Sequence, residues 1–363
     1  MKNLSLKDVM DGIHDWVRVI GKDNKVIYAN KSMINGLGFN PYDKKCYEAL
    51  GKTSPCENCI SKKAVFKGSS FKKEETIGNK TFSVMSSPVR NNLGEIIAVV
   101  EVLRDVTNLK KLQEQIQKQN DDLKKELSMA NKLQCSMLPK KTLINEKINF
   151  SYAYIPCKTL GGDFFDIFKI DERHIGVYIA DVAGHGLPAS MHTVFIKSAL
   201  DRENLSPSSA LNDLYDDFNN IGIYQDIYIT VFYAVINTEK YEITFSNAGH
   251  SVTPILFSDD SYEMLWSPGI PISNWMKESN YSDKTVKIKK GARLFLYTDG
   301  MFQIQNPSKE YFDIENLINI LLKSNKDVET TISEVIHSIQ KFSGNKKTDR
   351  FVDDVTVALV KIN

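Results

Sequence analysis

The chain has 363 residues, enough for two or three domains. With 46 Lys plus Arg against 45 Asp plus Glu, its formal net charge of +1 gives no electrostatic drive toward nucleic acid or an anionic membrane. No apolar run is long enough to span a bilayer, and MKNLSLKDVMDG lacks the apolar core of a secretion signal. Five Cys are too few for a disulfide scaffold in a chain of this length, so a reducing cytoplasm is the expected compartment.

In chain order, the first region runs from about Leu4 to Thr107. WVRVIG (Trp16 to Gly21) and KVIYAN (Lys25 to Asn30) read as strands about a turn at Asp23-Asn24. TFSVMSSPV and IIAVVEVL (Ile96 to Leu103) read as later strands, with helix-compatible polar stretches between. A mixed α/β domain of about 100 residues is expected.

The second region, about Asp105 to Leu138, has no Gly or Pro and is dense in Lys, Glu and Gln. Leu109, Leu112, Ile116, Leu123, Leu127 and Ala130 recur at three, four or seven residues, with Gln119 at an interior seam position and a phase shift near Leu127. The pattern predicts one long helix with Thr107 as N-cap and Pro139 as its stop. Its seam suits a coiled-coil homodimer; a surface helix packed on its own protein is the alternative.

The third region, from about Ile144 onward, alternates strand-like runs with loops. HIGVYIADV, YITVFYAVI, YEITFSNAG, ARLFLYTDG and VTVALVKI read as strands. Ala189 to Leu200 and Ile314 to Phe342 read as helices, the latter divisible in two. Many strands without a βαβ rhythm predict an antiparallel β-sandwich flanked by helices, an α+β class.

Four acidic motifs mark this third region: GGDFFD (Gly161 to Asp166), ADVAGHG (Ala180 to Gly186), YTDG (Tyr297 to Gly300) and VDDVT (Val352 to Thr356). Asp181 follows VYIA, Asp299 follows LFLYT, and Asp353 precedes VTVALV. A carboxylate at the end of a buried strand is costly to desolvate alone. Several that converge repel one another, and a divalent cation resolves that repulsion; all-oxygen ligands select Mg2+ or Mn2+. A pair of such ions activates water and clamps a phosphoryl group. Any one Asp-Gly after a strand reads as a turn; four in one domain do not.

Together these motifs resemble the PPM metal-dependent protein serine/threonine phosphatases, specifically their SpoIIE-like bacterial branch. QCSMLP (Gln134 to Pro139) is similar to the leading Gln-x-x-Leu-Leu-Pro pattern. GGDxxD, D-V-x-G-H-G (Asp181 to Gly186), N-A-G-H (Asn247 to His250), T-D-G and D-D-x-T (Asp353 to Thr356) then follow in order over residues 130–363. The resemblance implies Asp163 and Asp181 as catalytic metal ligands, with Asp181 bridging two Mn2+ or Mg2+ ions. It also implies the Val182 carbonyl, Asp299 and Asp353 as ligands. Asp354, Gly162 and His185 would support them. Gln303 stands where the family often has Glu. His185 and His250 read as satisfied loop histidines.

The implied activity is hydrolysis of phosphoserine or phosphothreonine on a regulatory protein, with an anti-anti-sigma (STAS) protein as the implied partner. A degenerate, non-catalytic binding platform is the alternative. A diguanylate cyclase is a weaker one: GGDFF is similar to GGDEF, but it stands too early in the domain.

The first region resembles a PAS sensor of unknown ligand, through its strand pair, the NKSM turn and the closing GEIIAVVEVLRDVT. Expected domains are thus 1–107 (PAS), 108–138 (coiled-coil linker) and 139–363 (phosphatase). Cys46, Cys56 and Cys59, in CYEALGKTSPCENC, read either as a sensor ligand or redox group or as plain buried Cys. Cys135 and Cys157 read as isolated and structural.

Overall fold

The computed structural model describes residues 5–140, 146–222, 227–258, 261–276, 278–324, 327–344 and 351–363. The boundary expected near Ile144 lies outside the described residues. The chain divides into two compact units, Met1–Asp122 and Leu123–Asn363. Among the described residues no helix is long and apolar enough to cross a membrane.

The first unit holds α1 (Leu6–Asp11), β1 (Trp16–Gly21), β2 (Val26–Ala29), α2 (Lys31–Leu37), a 3-10 turn (Glu48–Leu50), α3 (Ile60–Lys67), β3 (Phe71–Ile77), β4 (Lys80–Arg90) and β5 (Ile96–Asp105). One antiparallel sheet takes the order β2-β1-β5-β4-β3. Asn24 at φ 64° makes the turn between β1 and β2. Buried Asn30 caps α2: its Oδ1 accepts from the Met33 and Val17 amides. Ile60, Phe82, Val84 and Leu103 form the core, and Trp16 lies 4.5 Å from Phe82, ring to ring.

The helix α4 (Thr107–Met137) carries the chain onward. Thr107 is not its cap. The residue is already helical, and its Oγ1 accepts from the Thr81 amide and donates to Asp105. The Asp105 carboxylate accepts the Thr107 amide, and its bonds with Thr107 and Lys80 hold it down to about 2. Leu109, Leu112, Ile116 and Leu123 are all more than half exposed.

The second unit holds β6 (Ile148–Ile155), β7 (Asp163–Lys169), β8 (His174–Val182), α5 (Leu187–Ala199), α6 (Pro207–Ile221), β9 (Ile229–Asn237), β10 (Glu242–Ala248), β11 (Ile255–Ser258), β12 (Ser261–Met264), β13 (Lys284–Lys287), β14 (Arg293–Tyr297), a 3-10 turn (Asp299–Met301), α7 (Ile314–Lys323), α8 (Val328–Ser343) and β15 (Val355–Ile362). Two antiparallel sheets result, β13-β10-β9-β8-β7 and β12-β11-β14-β15-β6. Phe165, Ile167, Val177, Ile179, Leu294, Leu296 and Val360 pack between them. Helices α5 and α6 cover the outer face of the first sheet, and α7 and α8 that of the second. Strands β8 and β9 are therefore apolar on both faces, which is why they read as continuous rather than alternating runs.

Helix α6 was not among the expected elements, and its signals are all local. Ser206 caps it by accepting the Ser209 amide, Pro207 occupies the first turn, and Gly222 ends it at φ 69°. Its many Asp and Asn residues mask the apolar stripe Ala210, Leu211, Leu214, Tyr215 and Phe218.

Candidate metal centre

Strand pairing builds half of the centre. Asp163 opens β7 directly opposite Asp181, near the end of β8. The second sheet supplies the other half: Asp299 follows β14, Asp353 and Asp354 precede β15, and these strands are paired. Thr298 joins the sheets, since its Oγ1 donates to Asp163 Oδ2 at 2.7 Å. Glycine is dictated at two contacts. A Cβ on Gly300 would lie 1.9 Å from the Asp354 carbonyl oxygen, and one on Gly162 2.6 Å from that of Val182.

Asp354 is fully occupied within the chain: its carboxylate accepts the Cys157 amide at 2.7 Å and the Gly162 amide at 2.6 Å. It pins the Cys157–Gly162 loop that delivers Asp163. Asp353 accepts from Gln303 Nε2 at 2.8 Å.

The electrostatics are lopsided. Burial, then the Asp181 and Asp354 charges, hold the Asp163 carboxyl well above the usual carboxylate range. Burial, then Asp299, Asp353 and Asp354, raise Asp181 to about 7. Burial, then Asp353, raises Asp299. Among the described residues no Lys or Arg forms an ion pair with Asp163, Asp181, Asp299 or Asp353. A carboxylate set with oxygen donors only, and no internal countercharge, fits a hard divalent cation.

Cys157 is not isolated, as the sequence suggested: its thiol groups with the Asp353 and Asp354 carboxylates. In the metal-free chain, burial and then Asp354 push that thiol up to about 12. His185 is exposed on the β8–α5 loop. His250 is buried, with Nε2 3.0 Å from the Tyr297 carbonyl and Nδ1 3.3 Å from Thr230 Oγ1. Burial lowers it to about 4, so it is a neutral imidazole that donates to the Tyr297 carbonyl, the last residue of β14 before Thr298 and Asp299. GGDFF leads directly into β7 and does not form a hairpin tip, which removes the motif context of a cyclase.

Gln134 was not singled out as a site residue. It is the one buried residue of α4 among those described. Its Nε2 donates to the Gly161 carbonyl (2.8 Å) and Thr193 (3.1 Å), and its Oε1 accepts from Tyr154 (3.3 Å) and the Gly161 amide (3.4 Å). The sequence signal was a glutamine followed by an apolar Met-Leu-Pro exit; its target could not be read, because Gly161 is 27 residues away.

The family model described as stage II sporulation protein E (SpoIIE) matches residues 171–363, beginning after GGDFFD. Among curated proteins, the chain is 26% identical over 230 residues to phosphoserine phosphatase RsbU of Bacillus subtilis, covering 61% of this chain and 67% of RsbU. It is 30% identical over 188 residues to phosphoserine phosphatase RsbP of the same organism, covering 49% of this chain and 45% of RsbP. The chain thus spans less than half of RsbP. Among solved structures, the SiaA-PP2C domain of Pseudomonas aeruginosa superposes with a TM-score of 0.60 at 16% identity, covering 67% of this chain and 98% of that one. The PP2C phosphatase domain of SpoIIE from Bacillus subtilis, with a regulatory fragment, gives a TM-score of 0.50 at 13% identity, covering 85% of this chain and 77% of that one. These two likenesses establish the fold of the second unit. With the family match covering more than half of the residues, the chain belongs to the SpoIIE family, the SpoIIE-like branch of the PPM phosphatases.

Proposed function

We propose that this protein is a metal-dependent protein serine/threonine phosphatase acting on a phosphorylated regulatory protein. The observation that carries this reading is the convergence of Asp163, Asp181, Asp299 and Asp353 from two sheets, with no cation among the described residues paired to them. Asp163, Asp181, the Val182 carbonyl, Asp299 and Asp353 would hold two Mn2+ or Mg2+ ions. Bound there, such ions supply an activated water and charge stabilisation for a phosphoryl group.

The chain's own residues prepare that chemistry. Thr298 orients the Asp163 carboxylate, Asp354 fixes the loop before it, and neutral His250 ties the Tyr297 carbonyl to the β9 side of the site without adding positive charge. Gln303 orients Asp353 and contributes no charge of its own. The relatives RsbU and RsbP are named phosphoserine phosphatases, which supports a phosphoserine substrate; a STAS-type protein is the partner the family suggests.

The N-terminal unit would sense. Its sheet order β2-β1-β5-β4-β3 supports a PAS reading. The exposed leucine seam of α4 supports pairing with a second copy. The Gln134 contacts give that helix a route to the Asp163 loop.

The deciding measurement is phosphate release from a phosphoserine protein and an aryl phosphate, with Mn2+, with chelator, and for Asp181→Asn. Release that needs Mn2+ and is lost in the variant upholds the reading. A chain that binds Mn2+ but releases nothing, whole or as residues 130–363, is the non-catalytic platform instead. For the coupling, Leu123→Lys is expected to lower both dimer mass and activity; no change in either removes the helix from regulation.

A further inference from the structure

The N-terminal unit contains a second cluster of metal-ligating side chains, unrelated to the acidic centre. Cys46, Cys56 and Cys59 all line one small cavity of about 20 Å³, together with Arg18, Ser61, Lys73, Glu75 and Glu101. That is room for one water-sized occupant. Burial raises the Cys46 thiol, so ligation has to displace its proton. Cys56 Sγ lies 3.7 Å from the Lys52 ammonium. Cys59 is the N-cap of α3, its Sγ accepting the Lys62 amide at 3.5 Å. The Cys46 carbonyl accepts from Arg18 Nη1 at 2.6 Å, which fixes that residue against the buried Arg18–Glu101 pair.

The charged side chains that line the cavity are two cations and two anions, Arg18 and Lys73 with Glu75 and Glu101, paired as Arg18–Glu101 and Lys73–Glu75. The three thiols are thus the cavity's remaining metal-binding groups, and Glu75 or Glu101 is within the same lining as a further oxygen donor.

We propose that Cys46, Cys56 and Cys59 bind a single thiophilic cation of the Zn2+ class. Three thiolates make an open set, completed by solvent or by a carboxylate of the cavity. The three sulfurs do not all lie within 4.8 Å of one another in the absence of the ion. Ligation therefore draws in the segment Gly51–Cys59, which forms no helix or strand of its own. Binding would order this segment and the start of α3 together, and release the thiol protons.

The test uses the full chain under reducing conditions. Co2+ is expected to give a thiolate-to-cobalt charge-transfer absorption that one equivalent of Zn2+ abolishes. Cys56→Ser/Cys59→Ser is expected to weaken binding by about tenfold or more, whereas Cys157→Ser and Cys135→Ser keep the absorption. Alkylation mapped by mass spectrometry checks the wild type without any variant: with Zn2+ bound, Cys46, Cys56 and Cys59 are protected together. Absence of the charge-transfer band in the wild-type chain overturns the proposal. So does a band that survives in Cys56→Ser/Cys59→Ser but vanishes in Cys157→Ser, or protection of fewer than all three cysteines.

Discussion

Asp163 and Asp166 stand three residues apart on one strand and are equally buried, each 2% exposed, yet their surroundings are opposite. The strand's alternation turns them to different faces. Asp163 points between the sheets toward Thr298 and the other carboxylates. Asp166 points to the helix side, where Lys197 at 3.0 Å and Arg202 at 3.3 Å balance it. Both carboxyls are raised by burial, but among the described residues only Asp166 has cations pulling it back. A buried carboxylate needs countercharge. Among the described residues, one face of β7 receives it from α5 and the residues that follow, and the other receives none.

Neutralising each aspartate should therefore separate activity from stability. Asp163→Asn is expected to lower metal-dependent phosphate release on the order of 10³-fold, because a ligand worth several kcal/mol is lost. It should leave the melting temperature in chelator unchanged or raised, since Thr298 can still donate to the amide oxygen. Asp166→Asn should do the reverse. It strands Lys197 and Arg202, whose side chains are 23% and 40% exposed, so solvent reduces the loss to about 1–2 kcal/mol. Activity should fall by no more than a few fold. Equal losses of activity in the two variants would erase the distinction between the faces.

Chelation and pH sharpen the same contrast. Without a cation, burial and the neighbouring carboxylates push Asp181 up from 3.8 to about 7 in the folded chain. Between those values the folded state holds a proton that the unfolded state has lost, so this group lowers stability as pH rises from about 4 to about 7. His250 acts in the opposite sense. It is lowered from 6.5 to about 4, so its contribution rises with pH across that window. The comparison of Asp181→Asn with wild type isolates the carboxylate. In chelator the variant's advantage in melting temperature should grow from pH 5 to pH 7.5, and Mn2+ should cancel it by stabilising wild type. A difference that does not change with pH would mean that Asp181 is not held uncompensated.

Legibility from sequence followed the same division. Asp181, Asp299 and Asp353 were readable because each abuts a continuous apolar run, and the two-sheet sandwich was readable from those runs. What could not be read were partners set by tertiary approach: Thr298 to Asp163 across 135 residues, Gln134 to Gly161, and Lys197 to Asp166. Helix α6 was missed for a different reason, its polar residues outweighing valid cap signals.

Gln134 tests whether the loop before Asp163 is held from α4. Gln134→Ala leaves the Gly161 carbonyl and the Thr193 hydroxyl without their buried donor contact, a cost of about 1–3 kcal/mol. Asp163 would lose its fixed approach, so kcat should fall up to about tenfold with little change in the KM for an aryl phosphate. Gln134→Glu, which keeps the acceptor but loses the donor, should not rescue it. A shift confined to melting temperature would make Gln134 a packing residue only.

The smallest expected effect lies at Gln303, whose Nε2 donates to Asp353 Oδ2 at 2.8 Å while the Asp354 amide donates to the other carboxylate oxygen. Glutamine gives the Asp353 carboxylate a hydrogen bond without adding to the cluster's negative charge. Gln303→Glu replaces that donor with a second carboxylate at the same place. In chelator the two like charges should destabilise the fold by about 1 kcal/mol at pH 7.5 and less at pH 5, where protonation restores a donor. With Mn2+ the sign should invert, because added negative charge favours a divalent cation, and the Mn2+ concentration for half-maximal activity should fall a few fold. If chelator and Mn2+ move the variant in the same direction, Gln303 does not act through the cation-binding charge of Asp353.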